Sequence, residues 1–260
     1  MSICLVSVLH DPHGRQLLAA KKHVDKLRHL YPQLAVVATT ETSSDILKNL
    51  RQQGVFLQVT EGCEIGLKRR EALAFGLQVG APYVHYCDFD RILHWIGTYP
   101  GELDEIFREI VKHGFVIIGR TQRAFETHPR VQQEMERITN HVCSLALERR
   151  VDVTSGSCAA SRETAELILS HSRAVTNATD TEWPMIVSLF SDATIGFLQV
   201  EGLEFETLDY YQEEIRSAGS PERWLQLTYE SSIEMWYARM KLALESIEAI
   251  RAVRESYESR

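Results

Sequence analysis

The chain lacks any run of about 18 apolar residues, the length that a membrane-spanning helix requires, so no segment reads as a span. It is also short of positive charge. Lys and Arg number 28 against 36 Asp and Glu, a formal charge of -8 at pH 7, and general attraction of nucleic acid phosphates needs the opposite balance. Any phosphate it binds must be gripped locally. Cysteine is sparse: Cys4, Cys63, Cys87, Cys143 and Cys158 are odd in number, scattered, and show neither a CxxC pair nor zinc spacing. They read as reduced thiols. The opening apolar stretch has no basic flank and no small-residue cleavage site of a secretory signal. These absences together predict a cytoplasmic protein that binds no nucleic acid and has no transmembrane segment. The ten His residues nowhere show His-x-x-x-His spacing, and no Gly-x-Ser-x-Gly is present, which excludes a serine hydrolase of that type.

What is present is a rhythm. Short β-branched runs at 3–9, 34–38, 55–59 and 83–87 alternate with helical periods at 15–30, 45–53 and 66–80. Turn residues stand between them at 10–14, 39–44 and 61–62. This alternation predicts a mainly parallel sheet with crossover helices. A strand at 115–119, a helix ending at Ala146, a run over 151–160, a helix over 162–170 and a strand over 195–200 follow. From Pro221 to about Tyr257 apolar residues recur in steps of three and four (Leu225, Tyr229, Ile233, Trp236, Met240, Leu244). That pattern predicts one long amphipathic helix or two, with Ser220 as N-cap and Pro221 in the first turn. The expected organisation is an α/β domain over 1–215 and a helical extension over 216–260, packed back on the domain or serving as a homodimer seam.

Ligands of open α/β sheets gather beyond the carboxyl ends of the strands, and Asp11, Glu41 and Asp88 each stand just past one. Asp88-Phe89-Asp90 closes the 83–87 run. Alternate residues of an extended chain share a face, so both carboxylates are expected on one side, as ligands for Mg²⁺ or Mn²⁺. Such ions keep several positions for water and phosphate oxygens. Upstream, Gly66-Leu67-Lys68-Arg69-Arg70 opens a helix with three consecutive cations, a setting suited to phosphate. Lys68 and Arg69 are the candidates to reach it.

The series formed by that basic helix start, Ala72-x-x-x-Gly76, Gly80-Ala81-Pro82-Tyr83-Val84 and the strand into Asp-x-Asp resembles the donor-binding core of GT-A glycosyltransferases. Glu41-Thr42-Ser43-Ser44-Asp45 is similar to the segment by which family-2 members meet the nucleoside, with Glu for the first Asp and Thr for Gly. Asp11 is similar in placement to a family residue near the base. Gly156-Ser157-Cys158-Ala159-Ala160-Ser161-Arg162-Glu163 resembles the family's acceptor-side segment, and Thr179-Asp180-Thr181-Glu182-Trp183 the acidic one.

The resemblance implies a GT-A, Rossmann-like mixed sheet flanked by helices. It implies a metal-dependent glycosyltransferase, a hexosyltransferase, that moves a sugar from a nucleoside-diphosphate sugar to an acceptor hydroxyl. Donor contacts would come from Asp11, Glu41, Lys68, Arg69 and Asp88, and metal contacts from Asp88 and Asp90. Acceptor contacts would come from Gly156, Ser157 and Trp183, whose ring could stack on a sugar. Asp180 first, and Glu182 second, would take the acceptor proton. Many relatives add a late His to the metal; here no His follows His171, and Glu206 or Asp209 are the substitutes. Two other readings share these residues: a nucleotidyltransferase, which wants a better glycine-rich loop than 10–15 offers, and a non-catalytic nucleotide-sugar-binding protein of the same fold.

Overall fold

A computed structural model describes residues 2–260 of the chain. In chain order its elements are β1 (Ile3–Leu9), α1 (Leu17–Leu30), β2 (Gln33–Thr39), α2 (Ser44–Gln52), β3 (Phe56–Thr60), α3 (Ile65–Val79) and β4 (Tyr83–Cys87). Two helices follow directly, α4 (Phe89–Thr98) and α5 (Pro100–Ile110), then β5 (Phe115–Arg120), α6 (Gln122–Glu126) and α7 (Arg130–Ala146). The remainder is β6 (Ser157–Ser161), α8 (Arg162–His171), α9 (Thr179–Phe190), β7 (Ile195–Val200), a 3₁₀ turn (Glu206–Tyr210), α10 (Gln212–Ala218), α11 (Pro221–Leu225), a π turn (Gln226–Glu230) and α12 (Ile233–Glu258).

The seven strands form one sheet in the order β3-β2-β1-β4-β6-β5-β7. All pairings are parallel except those of β6, which runs antiparallel to β4 and β5. The carboxyl ends of six strands therefore share one edge with the start of β6. That edge collects Asp11, Thr42, Asp88, Arg120 and Gly156.

Period-two side chains on the strands explain the layering. In β1, Ile3, Leu5 and Leu9 enter one core with Leu27, Leu50, Trp95 and Ile106, from helices α1, α2, α4 and α5. Cys4, Val6 and Val8 enter the other with residues of α3, α7, α8, α9 and α12. Helix α3 lies close on the sheet because Gly76 has no side chain; a Cβ there would stand 2.5 Å from Val6 Cγ1. Cys4, Cys87 and Cys143 are buried, Cys158 is partly so and Cys63 is exposed, all as free thiols.

The C-terminal periodicity resolves into α11, the π turn and α12. Ser220 Oγ accepts from Arg223 N, with Pro221 in the first turn, as its sequence predicts. Ile250 and Val253 of α12 are buried in the second core, so this helix packs back on α7 and α9. The expected boundary at 215–216 falls inside α10. Among the described residues no helix is long and apolar enough to cross a membrane.

Candidate active site

Asp88 does not continue the β4 strand. It is the N-cap residue of α4, with Phe89 buried in the first core and Asp90 in the helix's first turn. The expectation of two carboxylates on one face of an extended chain is thereby corrected. The physical reason is that Phe89, Ile92, Leu93 and Trp95 bury an apolar face as soon as the strand ends, while the Asp88 carboxylate makes no capping hydrogen bond and turns to Arg69 and Tyr86 instead.

Asp88 is held by Arg69. That guanidinium is 2% exposed and uses its whole donor fork: Nη2 lies 3.1 Å from Asp88 Oδ2, Nη1 2.5 Å from Asp180 Oδ1, Nη1 3.0 Å from Thr179 Oγ1 and Nε 3.0 Å from Tyr86 Oη. Tyr86 also donates to Asp88. Arg91, three residues on, places Nε 3.7 Å from Asp88 Oδ2 and donates Nη1 to Ser155 O at 2.7 Å. Gly156 (φ +71°) passes so near that a Cβ would collide with Asp88 Oδ2. One arginine thus joins α3, α4 and α9, and brings the Asp88 and Asp180 regions together as the motif series implies.

Asp90 faces another way. Its Oδ1 accepts from Arg91 N, and Tyr210 Oη donates to its backbone oxygen at 2.9 Å, which fastens the 3₁₀ turn against the start of α4. Burial, then the negative charge of Glu206, push the Asp90 carboxyl up to about 7. Glu206 is itself buried and its Oε2 has no partner. Two carboxylates close enough to repel, with Arg91 as their nearby cation and one oxygen without a partner, fit a divalent ion. Among the described residues no three His, Cys, Asp or Glu side chains form a ready ligand set. An ion here would complete its shell from phosphate and water, as Mg²⁺ does when bound through one or two carboxylates.

Asp180 opens toward a small cavity of about 40 Å³, room for a few waters. Its walls include Arg69, Asp88, Arg91, Glu136 and Gly156, and α12 roofs it with Arg239, Leu242 and Ser246. Burial raises the Asp180 carboxyl to about 6 although Arg69 opposes the shift. Glu136, a third acid there beside Asp88, is committed to Arg120 at 2.8 Å and to Gln132.

Other expected residues are placed elsewhere. Glu182 is buried and accepts from Ser172 Oγ, Arg173 N and Ala174 N, so it fastens the 172–174 loop and has no oxygen left for an acceptor. Trp183 is 3% exposed, donates to Ser172 Oγ and packs edge-on against Tyr86, so no face is free for a sugar. Ser157 is buried between His85 and Tyr86 O, behind the cavity wall that Gly156 forms. Lys68 turns from Asp88 toward Glu61 O, Thr60 and Glu71 at the end of β3. Asp11 is buried, and its carboxylate caps Arg15 N and Gln16 N at 2.9 and 2.8 Å. Glu41 is exposed beside His10. Arg91 and Tyr86 were not anticipated; the signal for Arg91 was its i+3 spacing from Asp88, one helical turn away.

No family model matches the chain, and no curated protein does. Solved structures do. Glucosyl-3-phosphoglycerate synthase from Mycobacterium tuberculosis, in complex with phosphoglyceric acid, superposes with a TM-score of 0.50 at 15% identity, covering 76% of this chain and 69% of that one. Another structure of the M. tuberculosis synthase gives 0.49 at 16% identity, covering 85% and 81%. The mixed seven-stranded sheet and its flanking helices are those of the GT-A fold, and the chain has that fold.

Proposed function

We propose that the protein transfers a sugar from a nucleoside-diphosphate sugar to an acceptor hydroxyl, with a divalent cation at Asp90 and Glu206 and with Asp88 beside them. The observation that carries this reading is the mutual repulsion of two carboxylates, Asp90 raised to about 7 by burial and by Glu206, and Glu206 with an oxygen that has no partner, at the carboxyl edge of a GT-A sheet. Glu206 is the substitute for the late His. The fold shared with a glucosyl synthase supports the reaction class.

A bound Mg²⁺ or Mn²⁺ would offset negative charge growing on the leaving diphosphate. The chain's own residues do the rest. Arg91 lies next to Asp88 and carries a charge toward the phosphates, while Arg69 holds Asp88 and Asp180 at fixed positions. In an inverting transfer the acceptor oxygen bonds to the anomeric carbon, the bond from that carbon to the diphosphate breaks with its electron pair leaving on oxygen, and Asp180 takes the hydroxyl proton. Asp180 Oδ2 has no hydrogen bond among the described residues, and a pKa near 6 suits a base at neutral pH. In a retaining transfer the same carboxylate orients the hydroxyl. Product configuration, read by proton NMR, separates the two courses.

The donor's nucleoside would lie where the β1 and β2 ends are stitched by Ser43 N to Asp11 O and Thr42 Oγ1 to Leu9 O. Asp11 acts there by holding the loop. The acceptor enters the side walled by Gly156 and Asp180, and its cavity admits a sugar or small alcohol only if α12 shifts outward. Incubation of the protein with nucleotide sugars, Mn²⁺ and an acceptor panel tests the proposal. Release of nucleoside diphosphate dependent on Mn²⁺ and on Asp90 supports it; donor binding with no release over the panel points to a binding protein instead.

A further inference from the structure

A concavity much larger than the catalytic cavity lies apart from it. It is a solvent-open cleft of about 1000 Å³ between α7, the 147–152 segment and the ends of β5 and β7. The buried Arg120 and Asp152, with the half-buried Asn140, separate it from the Asp180 side. Its volume is that of a small-molecule site, and the transfer reaction does not use it.

Its charge is out of keeping with an acidic protein. Arg137, Arg149 and Arg150 all line it, and among the described residues none of the three has a carboxylate within ion-pair distance. Arg137 donates only to the neutral Gln133, and Arg149 only to Ile195 O. Arg120, 1% exposed, borders the same cleft; Asp152, Glu136 and Thr154 hold its Nε and Nη2, while Nη1 has no partner. Glu148 is the one acid of the lining outside that pair.

The backbone is shaped to present these groups. Glu148 adopts φ 53°, the only positive φ at a non-glycine among the described residues, which costs on the order of 1 kcal/mol. That conformation ends α7 and turns Arg149 and Arg150 onto the cleft's rim, with Arg149 N bonded back to Ser144 O. Phe125 supplies an apolar wall, with the Arg120 and Arg137 guanidinium carbons 4.7 and 5.3 Å from its ring centroid. Asn140 adds amide donors and acceptors.

We infer that this cleft binds a small phosphorylated molecule of sugar-phosphate size, with Arg137 and Arg150 gripping the oxyanion. Arginine forks match phosphate geometry, and the amide and aromatic walls suit hydroxyls and the apolar face of a pyranose. The site is independent of nucleotide-sugar transfer.

The test is calorimetric titration of the full chain, free of divalent cations, with glucose 6-phosphate and with inorganic phosphate. Saturable binding of glucose 6-phosphate is expected, weakened about tenfold or more by Arg137→Ala combined with Arg150→Ala. Both side chains are exposed and unpaired, so an unchanged melting temperature will show that the double variant is folded. Asp90→Asn should leave the affinity as it was. Absence of saturable binding by either probe, binding that survives the double substitution, or binding lost on Asp90→Asn would each overturn the inference.

Discussion

Arg69 Nη1 stands 2.5 Å from Asp180 Oδ1, with the guanidinium 2% exposed, and the same group holds Asp88 on its other edge. Removing one partner of a buried ion pair leaves uncompensated charge and is strongly destabilising, by about 3–5 kcal/mol. Arg69→Met should lower stability by that order in urea denaturation. Asp88→Asn combined with Asp180→Asn should recover part of the loss, because the carboxylates left without their cation are then gone. Absence of any coupling in that cycle would remove Arg69 as the joint of the site.

Asp180 as proton acceptor predicts a kinetic signature. Asp180→Asn should lower kcat about 10²- to 10⁴-fold, the range for loss of a general base, with donor affinity nearly unchanged. In the wild type, kcat should rise with pH and level off above about 6, the value to which burial brings this carboxyl. A flat profile in the wild type would contradict the assignment.

The Asp90 carboxyl predicts the sign of the stability profile without metal. Its folded value near 7 exceeds the ordinary value of about 3.9, so the native state keeps a proton that the unfolded chain has released. Stability is then lost as pH rises from the ordinary carboxylate range to about 7. Adding Mn²⁺ should flatten this slope at the upper end, and so should Asp90→Asn. Melting temperatures from pH 5 to 8, with and without the ion, check both.

His94 lies one turn beyond Asp90 and joins Asp209 Oδ2 at 2.6 Å and Glu204 Oε1 at 3.1 Å. These partners raise its pKa, against the opposing effect of burial. Its contribution is complete below the unfolded value of about 6.5 and fades as pH rises through the elevated folded value. His94→Gln should remove that part of the pH dependence and loosen the 3₁₀ turn that carries Glu206. Weaker metal affinity in this variant, with the fold retained, is the expected calorimetric result.

Gly156 takes φ +71°, and a Cβ there would meet Asp88 Oδ2 and Arg91 Nε. Gly156→Ala should destabilise the protein by about 1–2 kcal/mol through the left-handed backbone alone, and should reduce donor turnover by displacing Asp88. A fully active Gly156→Ala protein would show that Asp88 tolerates movement.

Much of the sheet was legible because its strands are short β-branched runs between turn residues, and β4 and β7 coincide with the runs at 83–87 and 195–200. Three helices were hidden. Helices α4 and α5 are joined through Thr98-Tyr99-Pro100, so a single long period never develops, and α9 carries Pro184 within it and is buried on most sides, which erases its amphipathic stripe. At the site, the Asp88 and Asp180 motifs pointed to one place because both follow element ends on the same edge of the sheet. The roles of Glu182 and Trp183 were not legible, since residue type does not tell whether a carboxylate faces a ligand or three loop donors. Glu206 was named only alongside Asp209 as a substitute for the missing His, and its burial with an unpartnered oxygen is what distinguishes the two.

The account's central claim is that a divalent cation and a nucleoside diphosphate bind together over Asp90 and Glu206. Thermal denaturation of the wild type with a panel of nucleoside diphosphates, each with and without Mn²⁺, tests it most directly, because a ligand of the native state raises the melting temperature. At least one nucleotide should give a rise that needs Mn²⁺ and that disappears in Asp90→Asn and Glu206→Gln. A panel with no response, or a rise equal in EDTA and undiminished in both variants, would contradict the claim.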